Sequence, residues 1–267
     1  RETYIRCAHC DRHICPDCMT SASVGFQCPE CVAAGRASVR EPRTRLGARI
    51  PSNSFVSIGL IGACVLAFIW QYITGVNQSA SDFGMFPAAI AANNEYYRLF
   101  TAMFLHGSLL HIGFNMYVLY MFGPQLEGVL GHLRFGVLYL LAGLGGSIAS
   151  FWFSDPYVVS VGASGAIFGL MGAYAVVGRR LGMDTRQAVG LIGINLVLGF
   201  VLTGVDWRAH LGGLIVGALV AAIMAYAPAH HRIVWQVAGV LAVLALLTAL
   251  TIIRDQQLVQ ILASSVP

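Results

Sequence analysis

From residue 55 onward the chain is a succession of long apolar runs broken by short polar connections. A helix needs about 20 apolar residues to cross the hydrocarbon layer, whereas a membrane barrel would show short alternating strands. Seven spans are predicted, at 55–74, 106–126, 132–153, 161–178, 188–204, 208–227 and 233–253. The fourth and fifth are short and are expected to be buried among the others. The pattern predicts an all-α polytopic membrane protein, with a cysteine-rich module at 1–35, a basic linker at 36–54, a transmembrane domain at 55–254 and a short tail at 255–267.

Composition agrees with the pattern and narrows it. Hydrophobic residues make up 57% of the chain and charged residues 10%. Soluble domains carry roughly 25% charge, so a water-soluble domain and a disordered chain are both excluded. All 16 cations are Arg, the net charge is only +4, and no basic face is concentrated enough to indicate a nucleic-acid partner. The distribution of Arg sets orientation. Arg134, Arg179, Arg180, Arg186 and Arg232 fall in connections on the same side as residue 54, together with the Arg-rich N-terminal region; only Arg98, Arg208 and Arg254 fall opposite. Arg-rich flanks stay in the cytoplasm, so a cytoplasmic N-terminus in the cell membrane is expected.

Six of the seven cysteines form three pairs in the first 31 residues: Cys7 with Cys10, Cys15 with Cys18, and Cys28 with Cys31. Two cysteines separated by two residues place both sulfurs on one tight turn, as a tetrahedral zinc ion requires. Two pairs complete one four-cysteine site and leave a third half-filled. The chain opens at Arg1, not Met, which points to a trimmed or engineered N-terminus and to lost partners for that pair. A disulfide framework is the competing reading; a cytosolic location favours reduced thiols and a structural zinc. The spacing resembles a cross-braced module of the B-box or RING-like kind. That resemblance implies one zinc shared by Cys7, Cys10, Cys28 and Cys31, with Cys15 and Cys18 serving a second site.

Polar side chains inside spans are costly in hydrocarbon and mark function by default. Three clusters stand out: His106, His111 and Asn115 at the start of the second span; Gly162, Ser164 and Gly165 at the start of the fourth; His210, Gly212 and Gly213 at the start of the sixth. His111 and Asn115 are four apart and share a helix face. All three spans run in one direction, so the clusters lie at one depth, near the extracytoplasmic face. Gly165 with Gly169, and Gly213 with Gly217, stand at the small-xxx-small spacing that lets helices approach. Ser164 beside His210 would make a nucleophile and base, and His111, Asn115 and the Ser164 N–H would serve the oxyanion. Asp206 is expected in a connecting loop, so the arrangement reads as a dyad with no catalytic cofactor.

These motifs closely resemble those of the rhomboid intramembrane serine proteases, over about residues 95–225. The resemblance implies a six-helix core with a seventh C-terminal helix, Ser164 as nucleophile, His210 as base, and His111 and Asn115 as oxyanion donors. It also implies that Phe168 stacks on the base, that Tyr97-Arg98 stands for the family's Trp-Arg pair, and that Glu127 supports loop and helix ends. The N-terminal module is similar to additions seen in actinobacterial members. Expected substrates are single-span membrane proteins that unwind near the outer face, because helical carbonyls are otherwise tied up. Two other classes compete. One is a non-catalytic rhomboid-like adaptor whose zinc module recruits a cytosolic partner. The other is a proton-coupled transporter, disfavoured because internal repeats and carboxylates beside the histidines are lacking.

Overall fold

A computed structural model describes residues 4–39, 43–201 and 204–264, and the chain divides into two units, Arg1–Arg43 and Thr44–Pro267. The linker residues Arg40 and Glu41, positions 202–203 of the expected fifth span, and residues 265–267 of the expected tail lie outside the described residues.

The described part of the first unit contains a 3-10 turn at Pro16–Cys18, a two-stranded antiparallel ribbon and one α-helix. β1 (Thr20–Ser21) pairs with β2 (Phe26–Gln27), and α1 spans Pro29–Ser38. Pro29 opens α1 and the Cys28 sulfur accepts the Cys31 N–H, so a cysteine occupies the capping position usually held by a hydroxyl or carboxylate. Its small core is Cys7, Ile14 and Cys28.

The second unit is a helical bundle: α2 (Phe55–Thr74), α3 (Val76–Phe83), α4 (Pro87–Asn93), α5 (Arg98–Thr101), α6 (Leu109–Leu130), α7 (His132–Phe153), α8 (Ser164–Leu181), α9 (Arg186–Val201), α10 (Trp207–Tyr226) and α11 (Arg232–Ser264). The seven long helices fall on the seven expected apolar runs. By length and composition α2, α7, α10 and α11 can each cross a membrane, and α6 joins them when taken with the preceding Arg98–Phe104, to which it is bent by 88°. α8 and α9 are the two expected to be short. At 33 residues α11 runs well past 253, through part of the stretch expected to be a tail.

α7, α8 and α10 form the centre of the bundle, and glycine is the reason they can. A Cβ at Gly169 would meet the Gly213 carbonyl at 2.8 Å, and one at Gly212 would meet the Gly145 carbonyl at 2.6 Å. Without side chains at these positions the backbones touch, which in an apolar solvent is a main source of helix association. At one end of the bundle Glu127 is fully buried and staples α2 to α6: it accepts the N–H of Val56 (3.0 Å), the N–H and hydroxyl of Ser57 (2.8 and 2.6 Å), and the His132 Nδ1–H (2.5 Å).

The connection between α2 and α6 departs most from the sequence expectation. It contains α3, α4, α5 and a 3-10 turn at Ala102–Phe104, elements that the pattern of apolar runs does not predict. These pieces are too short to show a helical period; punctuation makes them, with Pro87 at the first turn of α4 and Asn94 in the left-handed region at its end (φ 59°). Arg98 holds the connection together from inside, donating to Glu95 (2.5 Å) and to the carbonyls of Ser81 (2.7 Å) and Gly84 (3.1 Å).

Candidate active site

Three helix starts converge. α8 begins at Ser164 itself, so the serine sits on the first turn with its N–H unclaimed by the helix. α10 is capped by Asp206, whose carboxylate accepts the N–H groups of Arg208 (3.2 Å) and Ala209 (3.3 Å), placing His210 on the first turn. α6 is capped by Ser108, which accepts the His111 N–H at 3.2 Å. The glycine contact between α8 and α10 brings the first two together. His210 Nε2 lies 2.9 Å from Ser164 Oγ. Phe168, one turn after the serine, stacks on the His210 ring, with centroids 4.2 Å apart and planes 12° from parallel.

His111 faces the same point. A Cβ on Gly162 would strike its Cε1 and Nε2 at 2.9 Å and would lie 3.5 Å from Ser164 Oγ. Gly162 also has φ 141°, a conformation that side-chain-bearing residues rarely take, so both its backbone and its space call for glycine. The Gly107 N–H donates to His111 Nδ1 at 3.3 Å. An accepting Nδ1 leaves the proton of the neutral ring on Nε2, where it points toward Gly162 and Ser164. Asn115, one turn further along α6, is 4% exposed and its amide Nδ2 has no partner among the described residues. Ser164, His210, His111, Asn115 and Gly162 all line one cavity of about 860 Å³.

His106 is placed differently from the rest. It precedes α6, is fully buried, and meets His111 edge-on at 5.2 Å between centroids. Its backbone N–H donates to the Gln71 side chain of α2 at 2.9 Å, a partner the sequence pattern did not single out although a Gln inside an apolar span is itself a signal. Asp206, besides capping α10, receives the Ser150 hydroxyl; His210 Nδ1 has no hydrogen-bond partner among the described residues. Among those residues, therefore, no carboxylate hydrogen-bonds the His210 ring.

In the first unit the sulfurs of Cys7, Cys10, Cys28 and Cys31 lie within 4.8 Å of one another. Cys10 and Cys28 are 3.7 Å apart, close to the ~3.8 Å that bonds of ~2.3 Å impose at the corners of a tetrahedron around zinc. The Cys28 N–H, donated to Cys7 Sγ at 3.3 Å, draws the Cys7 thiol down to about 6, while the neighbouring thiol of Cys28 pushes Cys31 up to about 12. Four such thiols resist ionising together unless a cation offsets them, so the donor set fits a metal ion. Cys15 and Cys18 lie outside this group.

A model of the rhomboid domain matches residues 93–227, half of the chain and all three of the helix starts that meet at Ser164. The chain belongs to the rhomboid family. Among relatives it is 41% identical over 168 residues to the rhomboid protease GluP of Bacillus subtilis, covering 60% of this chain and 33% of that protein. It is 39% identical over 147 residues to the mitochondrial RHOMBOID-like protein 6 of Arabidopsis thaliana, covering 52% and 47%, and 35% identical over 153 residues to RHOMBOID-like protein 4 of the same plant, covering 54% and 38%. The chain thus spans less than half the length of these relatives. The rhomboid fold accounts for the all-α polytopic architecture, in which six long helices (α2, α6, α7, α8, α9 and α10) are followed by α11.

Proposed function

We propose that this chain is an intramembrane serine endopeptidase that cleaves membrane proteins within or next to their transmembrane segments. The observation that carries this reading is the 2.9 Å contact between His210 Nε2 and Ser164 Oγ. A relative named as a rhomboid protease supports it.

In the reaction, His210 Nε2 takes the Ser164 proton as Oγ attacks the scissile carbonyl. For Nε2 to accept, Nδ1 must carry the ring's own proton, and stacking on Phe168 holds the imidazole flat in that orientation. The charge that develops on the carbonyl oxygen is met by His111 Nε2–H, the Ser164 N–H and the Asn115 amide, whose Nδ2 has no partner among the described residues. His210 then passes the proton to the leaving amine and the C–N bond breaks. Water enters the cavity, His210 activates it in turn, and hydrolysis of the acyl-serine regenerates the hydroxyl.

The substrate is a single-span protein whose helix opens locally, since its carbonyls are otherwise held by the helix. The N-terminus and the four-cysteine module face the cytoplasm of a cell-membrane protein and the dyad faces the outer side, because Arg gathers at the other end. The module holds a structural zinc and offers a surface for a cytosolic partner, while Cys15 and Cys18 serve a second metal. The decisive experiment is cleavage of a model transmembrane substrate by the purified chain in proteoliposomes. Wild type should cut and become labelled by a fluorophosphonate at Ser164, while Ser164→Ala and His210→Ala should do neither. Cleavage surviving Ser164→Ala overturns the reading, and a properly folded wild type without cleavage favours a non-catalytic adaptor.

A further inference from the structure

α11 is far longer than a membrane crossing requires. Its 33 residues amount to ~50 Å of helix against ~30 Å of hydrocarbon, so one end must stand clear. The polar run Arg254, Asp255, Gln256, Gln257 marks which end that is. This end is tied down rather than free. Arg254 Nε donates to the Phe151 carbonyl at 3.1 Å, the Trp152 indole donates to the Leu250 carbonyl at 3.0 Å, and Leu258 is completely buried. One bond reaches further: the Tyr96 hydroxyl donates to Asp255 Oδ2 at 2.8 Å, across 159 residues of sequence.

Tyr96 sits at a junction. Its neighbour Glu95 receives Arg98, and Arg98 grips the carbonyls of Ser81 and Gly84. Gly84 leads into Met85, whose N–H and C=O both pair with Ser160 at 2.9 Å. Ser160 begins the extended segment that ends in Gly162, the residue against His111, and Gly162 is itself held by its N–H to the Ala102 carbonyl at 2.9 Å. Met85, Ser160, Val161 and Gly162 all line the dyad's cavity. A continuous chain of bonds thus runs from α11 to the wall of the active site.

We propose that Tyr96 and Asp255 are positioning residues, through which the seventh helix holds the connection between α2 and α6 and so sets the Ser160–Gly162 wall against which substrate is bound. The proposal rests on the protease reading above. It predicts a defect in binding with the chemical step spared, because the dyad is built from α8 and α10, which α11 does not supply.

The test compares wild type, Tyr96→Phe, Asp255→Ala, the double variant and Asp255→Asn in proteoliposomes, by cleavage kinetics and by hydrogen–deuterium exchange. Tyr96→Phe and Asp255→Ala should each raise KM about fivefold, the worth of one net hydrogen bond, and leave kcat within about twofold. The double variant should be no worse than either single one, since both remove the same bond. Asp255→Asn should remain near wild type, its amide oxygen still accepting from Tyr96. Exchange over residues 84–101 and at Ser160 should quicken in the two broken variants only. Additive effects of the two substitutions, or wild-type kinetics and exchange in both, would overturn the tether. If wild-type Ser164 proves unreactive, the protease reading falls, and the exchange comparison still decides whether α11 restrains this wall.

Discussion

Phe168 lies flat against His210, 4.2 Å from ring centre to ring centre and 12° from parallel. The two residues come from different helices, and the stack fixes the one torsion that the hydrogen bond to Ser164 leaves loose. Such a contact is worth about 0.5–1.5 kcal/mol beyond simple burial. Phe168→Leu should therefore lower kcat by about two- to twelvefold with little change in KM, and Phe168→Tyr should remain near wild type. Steady-state cleavage kinetics on the three proteins check this, and a Leu variant as fast as wild type would show that the stack does not orient the base.

Asn115 and His111 should fail differently from Phe168. Each offers a donor to the oxyanion, and loss of one such donor typically raises the barrier by about 2.7–4 kcal/mol. Asn115→Ala and His111→Ala should each reduce kcat by about a hundred- to a thousandfold. Fluorophosphonate labelling of Ser164 should fall as well, since the reagent's developing charge needs the same donors. Gly162→Ala should resemble them, because the added methyl would push into His111 at 2.9 Å and strain a backbone at φ 141°.

How much of this was legible beforehand depends on the kind of signal. Ser164, His210, His111 and Asn115 could be found because a polar group in an apolar span is rare, and because co-directional spans put them at one depth. The convergence itself needed Gly145, Gly169 and Gly213, whose spacing is visible in the sequence while the helices they face are not. Tyr96 with Asp255, and Met85 with Ser160, were invisible: they join positions far apart through ordinary loop residues with no periodicity. His106 stands out in the sequence with His111 and Asn115 as a polar group at the start of a span, and only the fold shows it fully buried with its backbone N–H on Gln71.

Glu127 carries a stability prediction instead of a catalytic one. Its carboxylate is the common acceptor for Val56, Ser57 and His132, so removing it strands several buried donors at once. Breaking a buried charged network in this way costs on the order of 3–5 kcal/mol. Glu127→Ala should lower the midpoint of thermal unfolding in detergent markedly, whereas Ser57→Ala, which removes a single donor hydroxyl, should cost only about 1 kcal/mol. Equal midpoints for the two variants would argue against the staple.

Acid should loosen the connection between α2 and α6 before it unfolds the bundle. The Arg98 side chain, bound at 2.5 Å, holds the Glu95 carboxyl below its ordinary range. A carboxyl whose folded pKa is depressed contributes stability that is fully present above its unfolded pKa, about 4.3, and is lost as pH falls through the folded value. Hydrogen exchange over residues 81–98, corrected for intrinsic rates, should therefore be unchanged from pH 7 to about 5 and quicken below about 4.3. Glu95→Gln should exchange quickly at every pH. A wild type whose exchange does not quicken in acid would mean that Arg98 is held by the Ser81 and Gly84 carbonyls alone.

The four clustered sulfurs and the two that lie apart from them make opposite predictions about metal. The sulfurs of Cys7, Cys10, Cys28 and Cys31 already lie within 4.8 Å of one another, so the purified chain should retain about one zinc through them, released by mercurial titration and counted with a chromogenic chelator. Cys28→Ser should lose this equivalent while its hydroxyl still caps the start of α1 in place of the sulfur. Cys15→Ser and Cys18→Ser should keep it, their sulfurs lying outside the group. Cleavage by proteins stripped of zinc should persist, since no step at Ser164 and His210 calls on the ion. Loss of the retained equivalent on changing Cys15 or Cys18 would instead mean that all three pairs share one site.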